Sequence, residues 1–356
     1  MSNAQRDSMI ADSAKGFLTR IGGVGRARKL RDSGTAFDGK AWQEMAELGW
    51  FGLLLPEGAG GLELGGRELV DLMETMGAQL APEPVAEVIA AGIAIAAADA
   101  SSPLLGEIVA GQAVVVPVAG GNFQLAGGRL AGAAKPTAHL ASATHALIDT
   151  RDSRQYIVPL SAEGVTRTTF AAVDGTSFSA LRLDVSLAHA MELNSGGQQS
   201  AAPAPASVLR LAYAAYLAGL ADAAFAMALD YLKTRKQFGV AIGNFQALQH
   251  RAATLYVRIA SLKALLGEVA GTMGTGRLAA ASAAAAFAAT DASLQVTKEC
   301  IQFHGAIGFA DEHAIGLFLK RAMTVTAALG NSDECLDEYL RHSQDGADRA
   351  QTSSAA

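Results

Sequence analysis

The residues best equipped for chemistry fall late in the chain. Arg235 opens a segment that also carries Phe238 and Gln246, and a second segment runs Gln302, Phe303, His304, Gly305, Ala306. A guanidinium offers a planar fork of donors that matches phosphate oxygens. Near a helix C-terminus the same cation would simply balance the helix dipole. Phe238 also reads as core, Gly305 as a turn, and His304 as a packed or hydrogen-bonded histidine rather than a catalyst. Four carboxylates lie further along: Asp333, Glu334, Asp337 and Glu338. A carboxylate acts as a base only within hydrogen-bonding reach of the proton it takes, and these four read as solvated tail charges.

Other chemistries find no footing. The seven histidines are scattered, and none pairs with another ligand at zinc spacing. Gly-x-Ser-x-Gly, a phosphate-binding P-loop and a strand–GxGxxG–helix unit are all absent. Cys300 and Cys335 are the only cysteines, too few for a disulfide framework, and read as core thiols in a reducing cytoplasm. A net charge of −6 lacks the basic footprint that a phosphate backbone demands, so nucleic acid is excluded as a partner. Met1 to Ser8 is polar, and Asp12, Lys15 and Arg20 break up the first apolar positions after it, so no export signal is expected. The apolar stretch Val85 to Ala98 falls short of the roughly 20 residues that span a bilayer. A cytoplasmic protein without a membrane partner is the expectation.

The elements that must position these residues fall into three regions. At 356 residues, half of them hydrophobic and 17% charged, the chain can bury a large core in two or three packed units. Residues 1–111 read as helical: Trp42, Met45, Ala46 and Gly49 match the spacing of one buried helix face, and Gly49 ends that helix. Leu69, Leu72, Met73 and Met76 repeat the pattern after a glycine-rich turn, Gly58 to Gly61. Residues 112–200 alternate short apolar runs with turns and suit an antiparallel β unit, closed by a small-residue linker, Ser195 to Pro205. Residues 201–356 return to helix over Val208–Lys233, Gln246–Gly271, Leu278–Ile301 and Ala314–Ala328, with a polar tail from Ser343. Phe238 to Asn244 reads as a loop between helices.

Three strings carry a resemblance. They are WQEMAELGWFGLLLPEGAGGLEL from Trp42 to Leu64, RKQFGVAIGNFQ from Arg235 to Gln246, and QFHGAIGFADEHAIGLFLKR from Gln302 to Arg321. Together they resemble the acyl-CoA dehydrogenase family over all but most of the middle region. The third string is most similar to the branch that oxidises bulky or steroid-like acyl-CoA side chains. The resemblance implies a mainly α fold with a central β domain: an N-terminal helical domain, a shortened β-barrel-like middle domain and a C-terminal four-helix bundle. It implies α,β-dehydrogenation of an acyl-CoA thioester, in which a base takes the α-proton and FAD accepts the β-hydride. Electrons would pass to an electron-transfer flavoprotein.

By the same resemblance, Arg235 meets the FAD pyrophosphate of a neighbouring subunit, Phe238 packs on the adenine side and Gln246 makes a polar contact. Gln302, Phe303, His304, Gly305 and Ala306 match the QxxGG segment that runs against the same FAD, with Ala306 in place of the second glycine. The match breaks at the base. Ala328-Leu329-Gly330-Asn331 stands where many members carry Tyr-Glu-Gly-Thr, and Leu209 stands at the alternative base position, next to Arg210, a candidate for substrate binding. Leucine cannot accept a proton. In the middle region, Val116-Pro117-Val118-Ala119 and Lys135-Pro136-Thr137 replace the strings that hold the flavin ring and thioester. Three functions are therefore open: an acyl-CoA dehydrogenase with an unconventional base, a non-catalytic partner subunit of a heteromeric dehydrogenase, or a flavin-free acyl-CoA-binding protein. A homo-oligomer, or a hetero-tetramer with a glutamate-bearing homologue, is expected.

Overall fold

A computed structural model describes residues 9–35, 38–193, 202–330 and 332–353, the last helix with side chains to 343. Residues 1–8, 195–201 of the expected linker and Asn331 lie outside the described residues. The chain has an N-terminal helical domain, a central β-sheet domain and a C-terminal helical domain. Helices α1 (Met9–Arg20), α2 (Gly23–Ser33), α3 (Gly39–Glu47), α4 (Gly66–Ala78), α5 (Val85–Ala98) and α6 (Pro103–Val109) come first. Strands β1 (Val115–Ala126), β2 (Arg129–Ala138), β3 (His145–Thr150), β4 (Gln155–Pro159), β5 (Val165–Ala171), β6 (Ser177–Ser186) and β7 (Met191–Leu193) come next. Then come α7 (Pro205–Thr234), the short strands β8 (Lys236–Gln237) and β9 (Val240–Ala241), α8 (Gln246–Ala270), α9 (Leu278–His304), α10 (Ile315–Leu329) and α11 (Ser332–Ser353).

These elements form two compact units. One gathers the described residues up to Arg28, Gly66–Ala81 and those from Arg210 onward; the other comprises Lys29–Gly65 and Pro82–Leu209.

In the first unit α7 is the central element. Its residues from Leu211 to Leu220 are all buried, so it is apolar around its whole circumference rather than along one stripe. Among the described helices it alone is long and apolar enough to cross a membrane, yet 78% of its most apolar window is packed inside the protein, as in a core helix. Helix α4 crosses it at two glycines: a Cβ on Gly77 would run into the Tyr216 carbonyl, and one on Gly219 into the Glu74 carbonyl. Buried Arg321 of α10 donates from Nε to the Tyr216 hydroxyl at 2.9 Å, and that hydroxyl donates to the Ala81 carbonyl at 3.0 Å. Lys263 of α8 binds Asp222 of α7 at 2.5 Å and reaches Glu74 of α4 at 3.7 Å. Small residues on α9, among them Ala283, Ala285, Ala286 and Ala289, are fully buried and let its neighbours approach closely.

In the second unit the seven strands form one sheet in the order β5-β6-β2-β1-β3-β4-β7. The sheet is mixed rather than antiparallel: Val115–Val118 of β1 pairs parallel with β3, while the end of the same strand pairs antiparallel with β2. The parallel ladder itself has a register break between Val118 and Phe123, where Gly120 takes a φ of 68°. Val116 and Val118 are buried on β1, and a second break on β2, between Ala134 and Thr137, spans Lys135 and Pro136.

Candidate functional site

Helix α7 sets the first half of the site. Beyond Thr234 the chain makes one more helical bond, Arg235 N–H to the Tyr231 carbonyl at 2.8 Å, and then turns back as the β8–β9 hairpin. The expected loop is thus an ordered ribbon. Its tip, Phe238 and Gly239, has φ of 52° and 83°, the paired positive values of a tight hairpin turn. A phenylalanine at positive φ is strained by about 1–3 kcal/mol, and this one is also 91% exposed, so it is not core. Its one ring contact is edge-on to Phe245, centroids 6.2 Å apart. Gln246 comes next as the exposed first residue of α8. The Arg235 guanidinium is exposed and makes no ion pair or hydrogen bond with the described residues.

Helix α9 sets the second half. It stops at His304 because Gly305 takes φ 62° and ψ −139°, a conformation essentially confined to glycine. A Cβ at Gly305 would meet nothing within 4 Å, so within this chain the backbone angle, not crowding, demands glycine. Ala306 needs no such angle and lies exposed beside exposed Gln302. Phe303 is buried, with the Arg251 guanidinium 5.1 Å above its ring; Arg251 is held in turn by Glu299, Nε to Oε2 at 2.9 Å.

His304 is 3% exposed. Its Nδ1 lies 2.6 Å from the Cys300 carbonyl, which only accepts, so Nδ1 carries the proton and Nε2 is a bare acceptor. That Nε2 has no hydrogen-bond partner among the described residues. The ring stacks on Tyr231 at 4.5 Å and lies 4.6 Å from the His313 ring. His313 Nδ1 accepts the Ile315 N–H at 3.2 Å, which puts its proton on Nε2. Burial pushes both imidazoles below their ordinary pKa of 6.5, and for His313 the adjacent His304 and Arg28 add to the effect.

The two halves are one place. Tyr231, one turn before Arg235, stacks on His304, and Arg251 of α8 covers Phe303. Tyr231, Arg251 and His313 escaped the sequence reading, although Tyr231 is detectable in principle as the residue four positions before Arg235 on the same helix face. The donor set suits a flavin dinucleotide: a free guanidinium for a pyrophosphate, an exposed aromatic for a purine face, and a glycine turn that leaves backbone accessible.

The base positions look different. Leu329 ends α10, half-buried, with its carbonyl 4.0 Å from the Cys335 sulfur. Leu209 lies in the first turns of α7, and Arg210 beside it is bound to Glu338 of α11 at 2.9 Å. Glu338 is therefore not a solvated tail charge, whereas Asp333, Glu334 and Asp337 are exposed. Both cysteines are free and buried. Burial raises both thiols, that of Cys300 to about 12, so neither is a thiolate at neutral pH. Among the described residues no group of three or more His, Cys, Asp or Glu is placed to hold a metal ion.

Comparison with known proteins decides the family. Residues 201–343 match the model of the acyl-CoA dehydrogenase C-terminal domain, and residues 4–100 match that of the N-terminal domain. The acyl-CoA dehydrogenase IpdE2 of Mycolicibacterium smegmatis is 30% identical over 340 residues, covering 94% of this chain and 97% of the relative. The chain belongs to the acyl-CoA dehydrogenase family. Another member, FadE34 of Mycobacterium tuberculosis, is 30% identical over 351 residues, which is 93% of this chain but 47% of FadE34. Among solved acyl-CoA dehydrogenases, a variant of the Tcur3481–Tcur3483 steroid enzyme aligns at TM-score 0.84 and 26% identity, covering 95% of this chain and 97% of that one. The ChsE4–ChsE5 complex of Mycobacterium tuberculosis aligns at 0.84 and 22%, covering 96% and 97%, and so speaks for the fold.

Proposed function

We propose that this acyl-CoA dehydrogenase family member works in a heteromeric enzyme that dehydrogenates a bulky, steroid-type acyl-CoA, and that it lends FAD contacts to a neighbouring chain bearing the catalytic glutamate. The observation that carries the reading is the contrast between its two sites. Arg235 and Phe238 are exposed on the hairpin, the guanidinium without an ion pair or hydrogen bond among the described residues, while both base positions hold leucine and Arg210 is committed to Glu338. The steroid enzyme Tcur3481–Tcur3483 and the ChsE4–ChsE5 complex, each named for two components, support the heteromeric form.

In this assembly Arg235 would bind the FAD pyrophosphate through its guanidinium fork, Phe238 would cover the adenine, and the Gln302–Ala306 turn would lie against the same dinucleotide. FAD, when bound, supplies a two-electron acceptor for the hydride that leaves the β-carbon. Leu329 contributes no base, so the α-proton would go to the neighbour's glutamate. Electrons leave to an electron-transfer flavoprotein.

An anaerobic absorbance titration with short, long and steroid-type acyl-CoAs tests this, using the chain alone and mixed with a glutamate-bearing homologue. Bleaching of the flavin band by a steroid-type ester only in the mixture is expected. Bleaching by the chain alone would overturn the division of labour, and no bleaching in either sample would overturn the dehydrogenase role.

A further inference from the structure

The second unit holds a pocket of roughly 750 Å³ between the start of α6, the first residue of β3, the end of β4 and the turn entering β7. That volume suits a compact small molecule. Leu104, Ile157 and Met191 give it apolar walls, Glu107 and Glu163 line it with two carboxylates, and no lysine or arginine does. Neither carboxylate is spent within the described residues on an ion pair or a side-chain hydrogen bond. Arg129, which feels the charge of Glu163, is itself bound to Asp184 at 2.5 Å.

Three further polar side chains line this space, Ser102, His145 and His189. Ser102 occupies the N-cap position of α6, where a serine ordinarily caps the helix, yet its side chain makes no capping bond. The residue is 7% exposed and lines the pocket, so its hydroxyl is a spare polar group at a nearly buried site. His145 is half-buried; its Nδ1 is engaged with Thr144 Oγ1 at 2.9 Å, which leaves Nε2 unspent. Burial holds this imidazole below its ordinary pKa despite the neighbouring Glu107, so it adds no positive charge at neutral pH.

A coenzyme A thioester, with its phosphates, has no lysine or arginine here to receive it and would meet two carboxylates. The complementary ligand carries the opposite charge on an apolar frame. We propose that this pocket binds an amine on a compact apolar body, its ammonium taken by the Glu107 and Glu163 carboxylates and the Ser102 hydroxyl, its body packed on Leu104, Ile157 and Met191. An ammonium has only donors, and this set supplies acceptors. The inference stands apart from the dehydrogenase reading, since none of these residues belongs to the flavin-binding set.

Isothermal titration of the full chain with tryptamine, and with indole-3-propionate as its anionic counterpart, tests the proposal at pH 7.5 and low salt. Tryptamine should bind saturably at one site, and the anion at least about tenfold more weakly. Glu107→Gln on α6 and Glu163→Gln in the turn between β4 and β5, both at exposed positions, should each weaken tryptamine by about five- to tenfold while leaving the melting temperature unchanged. Met191→Trp, which keeps both carboxylates but narrows the pocket, should weaken it as well. Equal affinity for the anion, binding indifferent to all three substitutions, or no saturable binding of tryptamine would each overturn the proposal.

Discussion

His304 sits where α9 stops, and a single bond decides its chemistry. The Cys300 carbonyl fixes the proton on Nδ1, and Nε2 is buried without a partner among the described residues, with the His313 ring 4.6 Å from its own. Adding a proton there would place a cation in an apolar setting beside a second imidazole and close to Arg28, so both folded-state pKa values lie below the 6.5 of the unfolded chain. The sign comes from linkage: below pH 6.5 the unfolded chain binds more protons than the folded one, and stability falls as the pH drops through that value. Above it the term is fully relaxed. The limiting slope is about 1.4 kcal/mol per pH unit for each histidine. His304→Phe keeps the stacking on Tyr231 and removes one titrating group. Urea unfolding at pH 7.5 and 5.5 should therefore show a smaller loss of stability on acidification in the variant than in the parent chain. An equal or larger loss in the variant would refute the assignment.

At the scale of elements, the crossing of α4 and α7 sets the first unit's geometry, and its glycines exist for contact rather than for freedom. Alanine at Gly219 would raise helix propensity by about 1 kcal/mol. It would also press a methyl group onto the Glu74 carbonyl, backbone that cannot swing aside as a flexible side chain can. Overpacking of this kind costs about 1–3 kcal/mol. The packing term exceeds the propensity term, so Gly219→Ala should lower stability in thermal or chemical unfolding, against the trend for an alanine placed within a helix. The sequence could show that α7 is helical and apolar, but not which small residue marks a crossing. The same limit governs the sheet. β3 and β4 were legible from the runs Ala146–Ile148 and Gln155–Pro159, whereas β2 was not, because Ala131, Gly132, Ala133 and Ala134 carry no alternation to read. The parallel pairing of β1 with β3 depends on partners distant in sequence, which no local pattern encodes. Helix α11 hid within an acidic stretch read as a polar tail; buried Cys335 and the ion pair from Glu338 to Arg210 hold it. At the candidate site, Arg235 and the Gln302–Ala306 segment were found through a resemblance, not through spacing. Their convergence through Tyr231 and Arg251 needed three dimensions.

At the scale of the whole molecule, the exposed hairpin is the feature that a single chain leaves unexplained. Phe238 accepts both backbone strain and near-complete exposure, each unfavourable in an isolated protomer, and Arg235 stands beside it without a counter-charge. A large aromatic and a cation displayed together are stable choices if a neighbouring chain's dinucleotide covers them, since a covered ring regains burial and the guanidinium gains charge-assisted bonds to phosphate. The prediction separates this from a structural role. Arg235 touches no side chain of its own protomer through an ion pair or hydrogen bond among the described residues, so Arg235→Ala should leave unfolding midpoint and oligomeric mass unchanged. A hydrogen bond to a charged group is worth about 1.5–3 kcal/mol, which corresponds to roughly 10- to 100-fold in dinucleotide affinity. The assembly purified with its glutamate-bearing partner should therefore lose flavin on dilution and gel filtration, read as a fall in the ratio of flavin to protein absorbance, while Arg235→Lys should retain an intermediate amount because a point charge replaces the fork. If Arg235→Ala holds flavin as tightly as the parent assembly, the hairpin serves something other than the dinucleotide and the cross-subunit reading fails with it.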